Sequence, residues 1–87
     1  MALEHIIVEH TFETPISDEA LGVSARRIDA CLAAYGASWV RSYVSLDRKR
    51  MICEFEAPDA EAVRVSYRNA DQKFERVWTA NAFARDS

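Results

Sequence analysis

The sequence predicts an α+β domain in which four antiparallel strands form one sheet and two helices cover one face of it. Four short stretches are rich in β-branched and aromatic residues, and polarity alternates along the first and third of them, which is the pattern of strands. Two other stretches repeat apolar residues at helical spacing. The stretches follow the order strand, helix, strand, strand, helix, strand. This order is typical of a ferredoxin-like βαββαβ fold, so residues 1–87 are expected to form a single domain.

The composition is that of a globular protein. Of the 87 residues, 49% are apolar and 29% are charged, which excludes a disordered chain. The net charge is -3, and the basic residues are scattered among acids, so no nucleic-acid partner is expected. The first ten residues lack the features of a signal peptide, and no apolar run is long enough for a membrane span. We therefore expect a cytoplasmic protein without a membrane partner.

The first half of the chain predicts one strand and one helix. The strand is expected over 3–12 (LEHIIVEHTF), where β-branched residues dominate and polarity alternates. Ser17 is a suitable N-cap, and the two acids after it suit the first turn of a helix. The helix is expected to run to about Tyr35 and to end at Gly36, because glycine is favoured just past a helix C-terminus.

The second half predicts a hairpin, a helix and a last strand. Strands are expected over 37–45 and 50–56, joined by the turn LDRK. The second helix begins at the N-cap Asp59, and the last strand is expected over 74–83. Right-handed crossovers place the first and third strands at the centre of the sheet, with the fourth beside the first and the second beside the third.

Alternation divides the residues of the first three strands between two faces. The face beneath the helices is predicted to carry Ile6, Val8, Phe12, Val40, Val44, Met51, Cys53 and Phe55. The opposite face is predicted to carry His5, Ile7, Glu9, Thr11, Trp39, Arg41, Tyr43, Ile52, Glu54 and Glu56. This second set mixes large apolar side chains with carboxylates, and apolar patches of this kind mark interfaces or ligand sites. We therefore expect a homodimer that packs these faces together as a dimeric α/β barrel.

Carboxylates on such a covered face must pair, titrate or bind a cation. Arg41 is the expected partner of Glu54 in a cross-strand ion pair. Alternatively, the polar side chains line a site for a small molecule or a divalent metal ion. The candidate ligand-binding residues are Glu9, Trp39, Arg41, Tyr43, Glu54 and Glu56. The candidate metal ligands are His5, Glu9, Cys53 and Glu56, because imidazole and carboxylate suit a borderline or hard divalent cation.

The favoured interpretation of the remaining histidine and of the two cysteines is structural, with a metal-binding role of Cys53 as the alternative. His10 shares the parity of the residues beneath the helices, so we expect a satisfied histidine at the end of the strand rather than a ligand. Cys31 and Cys53 fall at apolar-facing positions and are expected to be reduced, buried thiols.

Three segments carry a recognisable pattern: VEHTF (8–12), WVRSYV (39–44) and CEFEAPDAEAVR (53–64). With them the chain resembles a family of small bacterial proteins of unknown function whose best-described member binds nickel. The resemblance extends over about residues 6–78. It implies a ferredoxin-like fold, a dimer and a divalent metal, such as nickel, as a possible cofactor.

The chain departs from this family pattern at three positions. Ser66 stands where many members have a histidine on the second helix, and Glu54 stands where many have an aromatic residue. His10 replaces a common arginine. Glu56, by contrast, belongs to the shared pattern, so the resemblance implies a common role for it.

Two functions of different classes are compatible with these residues. The first is a small homodimeric protein that binds a metal ion or a small ligand. The second is a cofactor-independent enzyme of the isomerase, cyclase or monooxygenase type, in which Glu54 or Glu56 acts as general base on a small organic substrate.

Overall fold

The computed structural model of the protein describes residues 2–85. The strands and helices are β1 (Glu4–Thr11), α1 (Asp18–Leu32), β2 (Ser38–Val44), β3 (Arg50–Ala57), α2 (Ala60–Asn69) and β4 (Arg76–Ala80). A short 3-10 turn follows α1. This order of elements is the predicted one.

The four strands form one antiparallel sheet with the spatial order β2-β3-β1-β4. The predicted ferredoxin-like arrangement is confirmed, with β1 and β3 at the centre. Both helices lie on one face, and the molecule measures only 18 Å along its shortest axis, as expected for one helix layer on one sheet. No helix within residues 2–85 is long and apolar enough to cross a membrane.

The hydrophobic core lies between the two helices and the central strands. Its fully or almost fully buried members include Ile6, Val8, Leu32, Phe55 and Val63. They come from β1, α1, β3 and α2, so each of these elements is held by the apolar side chains that alternation or helical spacing directs inward.

The first helix begins and ends close to the predicted residues. The hydroxyl of Ser17 accepts a hydrogen bond from the Ala20 amide at 3.1 Å, which is an N-cap contact. The α-helix ends at Leu32, earlier than the predicted Tyr35, because its last turn tightens into 3-10 geometry. Gly36 then adopts a left-handed φ of 69°, a conformation that glycine reaches without a Cβ clash.

The last strand is shorter than the sequence predicts. β4 covers Arg76–Ala80 rather than 74–83. Its final pair along β1 joins His5 to Ala80, and β1 itself begins at Glu4. Residues after Ala80 therefore have almost no length of β1 left with which to pair.

A β-bulge in β2 reverses one predicted side-chain direction. Trp39 pairs with Phe55, whereas Arg41 pairs with Glu54, so Val40 is an extra residue on the β2 side. Directly opposed residues share a face, so Trp39 lies on the helix-covered side with Phe55. The prediction that Trp39 faces away from the helices is wrong, and the predicted place of Val40 beneath them is lost to the bulge.

Candidate functional site

Most of the predicted site residues lie on the open face, the face of the sheet opposite α1 and α2. Cross-strand pairing arranges this face in three rows that run from β2 to β4. The first row is Tyr43, Ile52, Glu9 and Arg76; the second is Arg41, Glu54, Ile7 and Trp78; the third is Ser38, Glu56, His5 and Ala80. The predicted residues Glu9, Arg41, Tyr43, Glu54 and Glu56 are therefore brought onto one surface.

The first two rows of the open face expose large apolar side chains. Tyr43 is 58% exposed, Trp78 is 44% exposed and Ile52 is 41% exposed. Trp78 was not assigned to this face from the sequence, because alanines blur the alternation of the last strand. Its pairing with Ile7 places it there. Together these side chains form an apolar patch beside carboxylates.

Glu9 is oriented by an aromatic neighbour. The indole N–H of Trp78 donates a hydrogen bond to Glu9 Oε2 at 2.7 Å. Hydrogen bonds to an ionised acceptor are stronger than those between neutral groups. This contact fixes the carboxylate of Glu9 and the ring of Trp78 relative to each other across β1 and β4.

Glu54 forms the predicted ion pair. Arg41 Nε lies 3.3 Å from Glu54 Oε2, and the two side chains are 60% and 29% exposed. A pair this accessible contributes at most about 1 kcal/mol to stability. Its main consequence is that the charge of Glu54 is balanced on the face, which leaves Glu56 as the open-face candidate for a general base.

His5 and Glu56 stand side by side at one end of the open face. They are directly opposed residues of β1 and β3, so their Cβ atoms are about 5 Å apart. Neither side chain makes a hydrogen bond or an ion pair to another residue within 2–85. An exposed imidazole and a half-buried carboxylate are thus adjacent and uncommitted.

The predicted metal ligands do not form one set. Cys53 pairs with Val8, is only 5% exposed and lies beneath the helices, whereas His5, Glu9 and Glu56 lie on the open face. The prediction that Cys53 joins them is wrong, because the sheet separates the two faces. In the part of the chain that the structure describes, no three His, Cys, Asp or Glu side chains are grouped to hold a metal ion.

The position of the missing family histidine lies in the core. Ser66 is fully buried, and its hydroxyl donates to the carbonyl of Ala62 at 2.8 Å. Its hydrogen bonding is therefore satisfied within α2. This residue does not contribute to the open face.

His10 is the satisfied histidine that its parity predicts. Its side chain is buried, and Nε2 lies 3.1 Å from the hydroxyl of Tyr67. The backbone of Lys73 also bonds to the ring. Burial lowers the pKa of His10 from 6.5 to about 4, because desolvation disfavours the charged imidazolium.

A polar hollow of about 420 Å³ adjoins the first row of the open face. Its charged lining residues are Glu9, Arg50, Glu75 and Arg76. The hydroxyl of Thr11 donates to Glu75 at 2.8 Å and closes part of its rim. The sequence did not indicate these basic residues or Glu75, because the blurred alternation of the last strand gave no register against β1.

Fold and surface together define a small ferredoxin-like protein whose open sheet face carries acids, a histidine and exposed aromatic residues. The chain belongs to the family described as nickel responsive protein SCO4226-like, whose sequence profile matches residues 7–79. No curated protein matches the sequence.

Two solved structures are similar to this chain. SCO4226 from Streptomyces coelicolor A3(2) is 19% identical and superposes with a TM-score of 0.83, over 92% of this chain and 99% of its own. A structural-genomics protein named YJCS is 14% identical with a TM-score of 0.56, over 94% of this chain and 100% of its own. At these identities the two structures establish the fold.

Proposed function

We propose that the protein is a homodimer that packs the open faces of two copies together and binds a divalent metal ion between them. Nickel is the first candidate, because the family is described as nickel responsive. The observation that carries the proposal is the uncommitted pair of His5 and Glu56 on the open face.

The chemistry of this pair suits a transition metal. Neutral imidazole is a good ligand for nickel, and a carboxylate adds an anionic oxygen. Two donors are too few to hold the ion tightly. A two-fold axis that passes beside this pair would bring the same pair together from both copies, so two chains would supply two imidazoles and two carboxylates. Glu9 and Glu54 are engaged by Trp78 and Arg41, which makes Glu56 the acid available for ligation.

Dimer formation also explains why a cation would be needed. Packing the apolar rows of two open faces removes them from water, which is favourable. The same step desolvates the carboxylates, and an unpaired buried charge is strongly unfavourable. A metal ion between the two His5–Glu56 pairs would neutralise the two acids that have no protein partner.

Titration calorimetry with nickel chloride tests this proposal on the intact chain. We expect saturation at one nickel ion per two chains, because the ligands are shared. Glu56→Gln and His5→Asn should each weaken binding about tenfold or more, a loss of at least ~1.4 kcal/mol. Glu54→Gln is the matched control, since the partner of that acid is Arg41, and it should retain the affinity of the wild type.

Two outcomes would overturn the metal site. The first is the absence of binding tighter than about 100 μM, which corresponds to ~5–6 kcal/mol of affinity, for nickel and for zinc and copper titrated in parallel. The second is unchanged affinity in both Glu56→Gln and His5→Asn, which would place any bound metal elsewhere. Light scattering on the same samples reports the oligomeric state independently of the metal.

A further inference from the structure

A cleft lies on the opposite side of the sheet from the open face, between α1 and the β2–β3 edge. Its volume is about 300 Å³. On the first half of α1, three small residues line the cleft beside Leu21. They are Gly22, Ser24 and Ala25. The helix buries its large residues Ile28 and Leu32 only further along. A concave, mostly apolar cleft with a few polar groups is the usual form of a small-molecule site.

Aromatic rings form much of the cleft wall. Trp39 lies at the mouth and is 47% exposed, whereas Phe55 and Tyr67 are deep and almost fully buried. The bulge in β2 is what turns Trp39 toward this side of the sheet. Faces and edges of several rings favour a flat aromatic ligand, because offset and edge-on ring contacts are attractive.

A strip of neutral polar groups runs from the mouth to the floor of the cleft. The indole N–H of Trp39 donates to the Ser42 hydroxyl at 2.9 Å, and that hydroxyl donates to Cys53 Sγ at 3.0 Å. Cys53 is hydrogen-bonded to Tyr67, whose hydroxyl lies 3.1 Å from His10 Nε2. A hydroxyl oxygen has two lone pairs, so the oxygens of this strip have further capacity to accept a bond.

The cleft is uncharged at neutral pH apart from its rim. Burial lowers the pKa of His10 to about 4. It also raises the pKa of the Cys53 thiol and of the Tyr67 hydroxyl. The one charged lining residue is the exposed Asp29. No lysine or arginine is among the lining residues, so an anionic ligand would lose its hydration here without a cationic partner in the cleft wall, which is unfavourable.

We propose that this cleft binds an uncharged aromatic molecule of two fused rings that carries one hydroxyl group. Apolar cavities of about 150 Å³ accommodate a benzene ring, so the 300 Å³ of the cleft suit a bicyclic molecule. Its rings would lie among Trp39, Phe55 and Tyr67. Its hydroxyl would donate to an oxygen of the polar strip. The site is independent of the metal ion and of the dimer proposed for the open face.

Titration of the full-length chain with 2-naphthol tests this inference. We expect one molecule to bind per chain with a Kd of about 100 μM, and the indole N–H signal of Trp39 to shift in the NMR spectrum. The matched probe is 2-naphthoate, which has the same rings and a carboxylate. It should bind about tenfold more weakly or not at all, because the cleft offers no cation.

Two substitutions fill the cleft from the helix side. Ala25→Phe should abolish naphthol binding, while Ala30→Phe, on the same helix but outside the lining, should preserve it. Gly22→Leu is the second filler. The nearest atom to a Cβ at Gly22 is a guanidinium nitrogen of Arg26 at 3.5 Å, and leucine favours a helix more than glycine does, so this variant should fold.

The inference is overturned if naphthol fails to saturate the wild type below about 1 mM. It is also overturned if folded Gly22→Leu and Ala25→Phe bind naphthol as tightly as the wild type. Equal affinity for naphthol and naphthoate would remove the requirement for an uncharged ligand. Circular dichroism of each variant establishes that it is folded before binding is compared.

Discussion

Tyr67 joins the aromatic part of the core to its polar part. Its ring packs edge-on against Phe55 and Phe74, with centroid separations of 6.0 and 5.5 Å. Its hydroxyl meets His10 at the end of β1. Buried polar groups need partners, and in residues 2–85 no buried side-chain nitrogen or oxygen lacks one. A histidine and a tyrosine are thus tolerated in the core because each satisfies the other.

His10 should make the stability of the protein depend on pH, most distinctly in the upper part of its window, above the range in which ordinary carboxylates titrate. Its pKa is about 4 in the folded chain against 6.5 ordinarily, so between these values the unfolded chain binds a proton that the folded chain does not. Stability is therefore fully present above about pH 7 and falls by about 3 kcal/mol as the pH approaches 4. Urea unfolding between these pH values measures the loss.

His10→Gln should flatten this dependence, since glutamine keeps a hydrogen-bonding side chain but does not titrate. His10→Asn is the second variant, because asparagine also keeps a hydrogen-bonding side chain that does not titrate, and it should flatten the dependence to the same extent. A slope that persists in His10→Gln would show that another group is responsible.

At the scale of the elements, the sequence predicts the features that follow from the alternation of apolar and polar residues. It misses the features that depend on how one strand pairs with another. Strand identity, the order of the sheet and the burial of Met51 and Phe55 follow from residue type and period, and the structure confirms them. The bulge at Trp39 does not follow from them, because no glycine or proline marks it and no residue type in WVRSYV singles out one position as extra. Which β2 residue is extra is decided by its register against β3, a long-range property.

The candidate site is predictable to a similar extent. The Arg41–Glu54 pair follows from matching parity and opposite charge on adjacent strands. The bond between Trp78 and Glu9 does not, because β4 returns to β1 from 69 residues away and its alanines hide its period. The prediction of Cys53 as a metal ligand fails for another reason. Its parity places it beneath the helices, whereas the other candidate ligands lie on the open face.

The start of α2 depends on one side chain, which gives a test at this scale. Asp59 has extended backbone angles, and its carboxylate accepts a hydrogen bond from the Ala62 amide at 2.8 Å. Asp59→Ala should lower the free energy of unfolding by about 1 kcal/mol, because this amide then lacks its cap. Asp59→Asn should restore most of the loss, since asparagine also caps. Urea unfolding midpoints compare the three proteins.

The matched control for the cap is Glu13→Ala, which removes one exposed acid from the loop before α1. It should change stability by less than about 0.5 kcal/mol. An equal loss in Glu13→Ala and Asp59→Ala would mean that net charge, rather than capping, sets the effect.

For the whole molecule, the central fact is that one layer of helices covers one face of the sheet while the other face stays exposed. The covered face holds the core and the cleft beside α1. The open face holds an aromatic and aliphatic patch among acids. Ligands for the two faces would not compete, because the sheet lies between them, so each proposal can fail without the other.

The homodimer is tested most directly in the first row of the open face. Ile52 is 41% exposed and lies between Tyr43 and Glu9. Ile52→Lys should leave the fold of one chain intact, because the side chain reaches solvent. In a two-fold dimer it would bury two ammonium groups, each opposite the carboxylate of Glu9. Because the desolvation cost of a buried ion pair can exceed its Coulombic gain, we expect the dimer to weaken by about tenfold or more, at least ~1.4 kcal/mol. Analytical ultracentrifugation measures the change.

Leu46→Lys is the matched control, because Leu46 is fully exposed in the turn between β2 and β3 and outside the three rows. It should sediment as the wild type does. A wild type that is monomeric at micromolar concentration would exclude the proposed dimer. A dimeric Ile52→Lys would show that the interface lies on another surface. If instead Ile52→Lys is monomeric and also loses nickel binding, the metal requires both copies, because His5 and Glu56 are unchanged in this variant. This result is the one expected if the two open faces share the metal ligands.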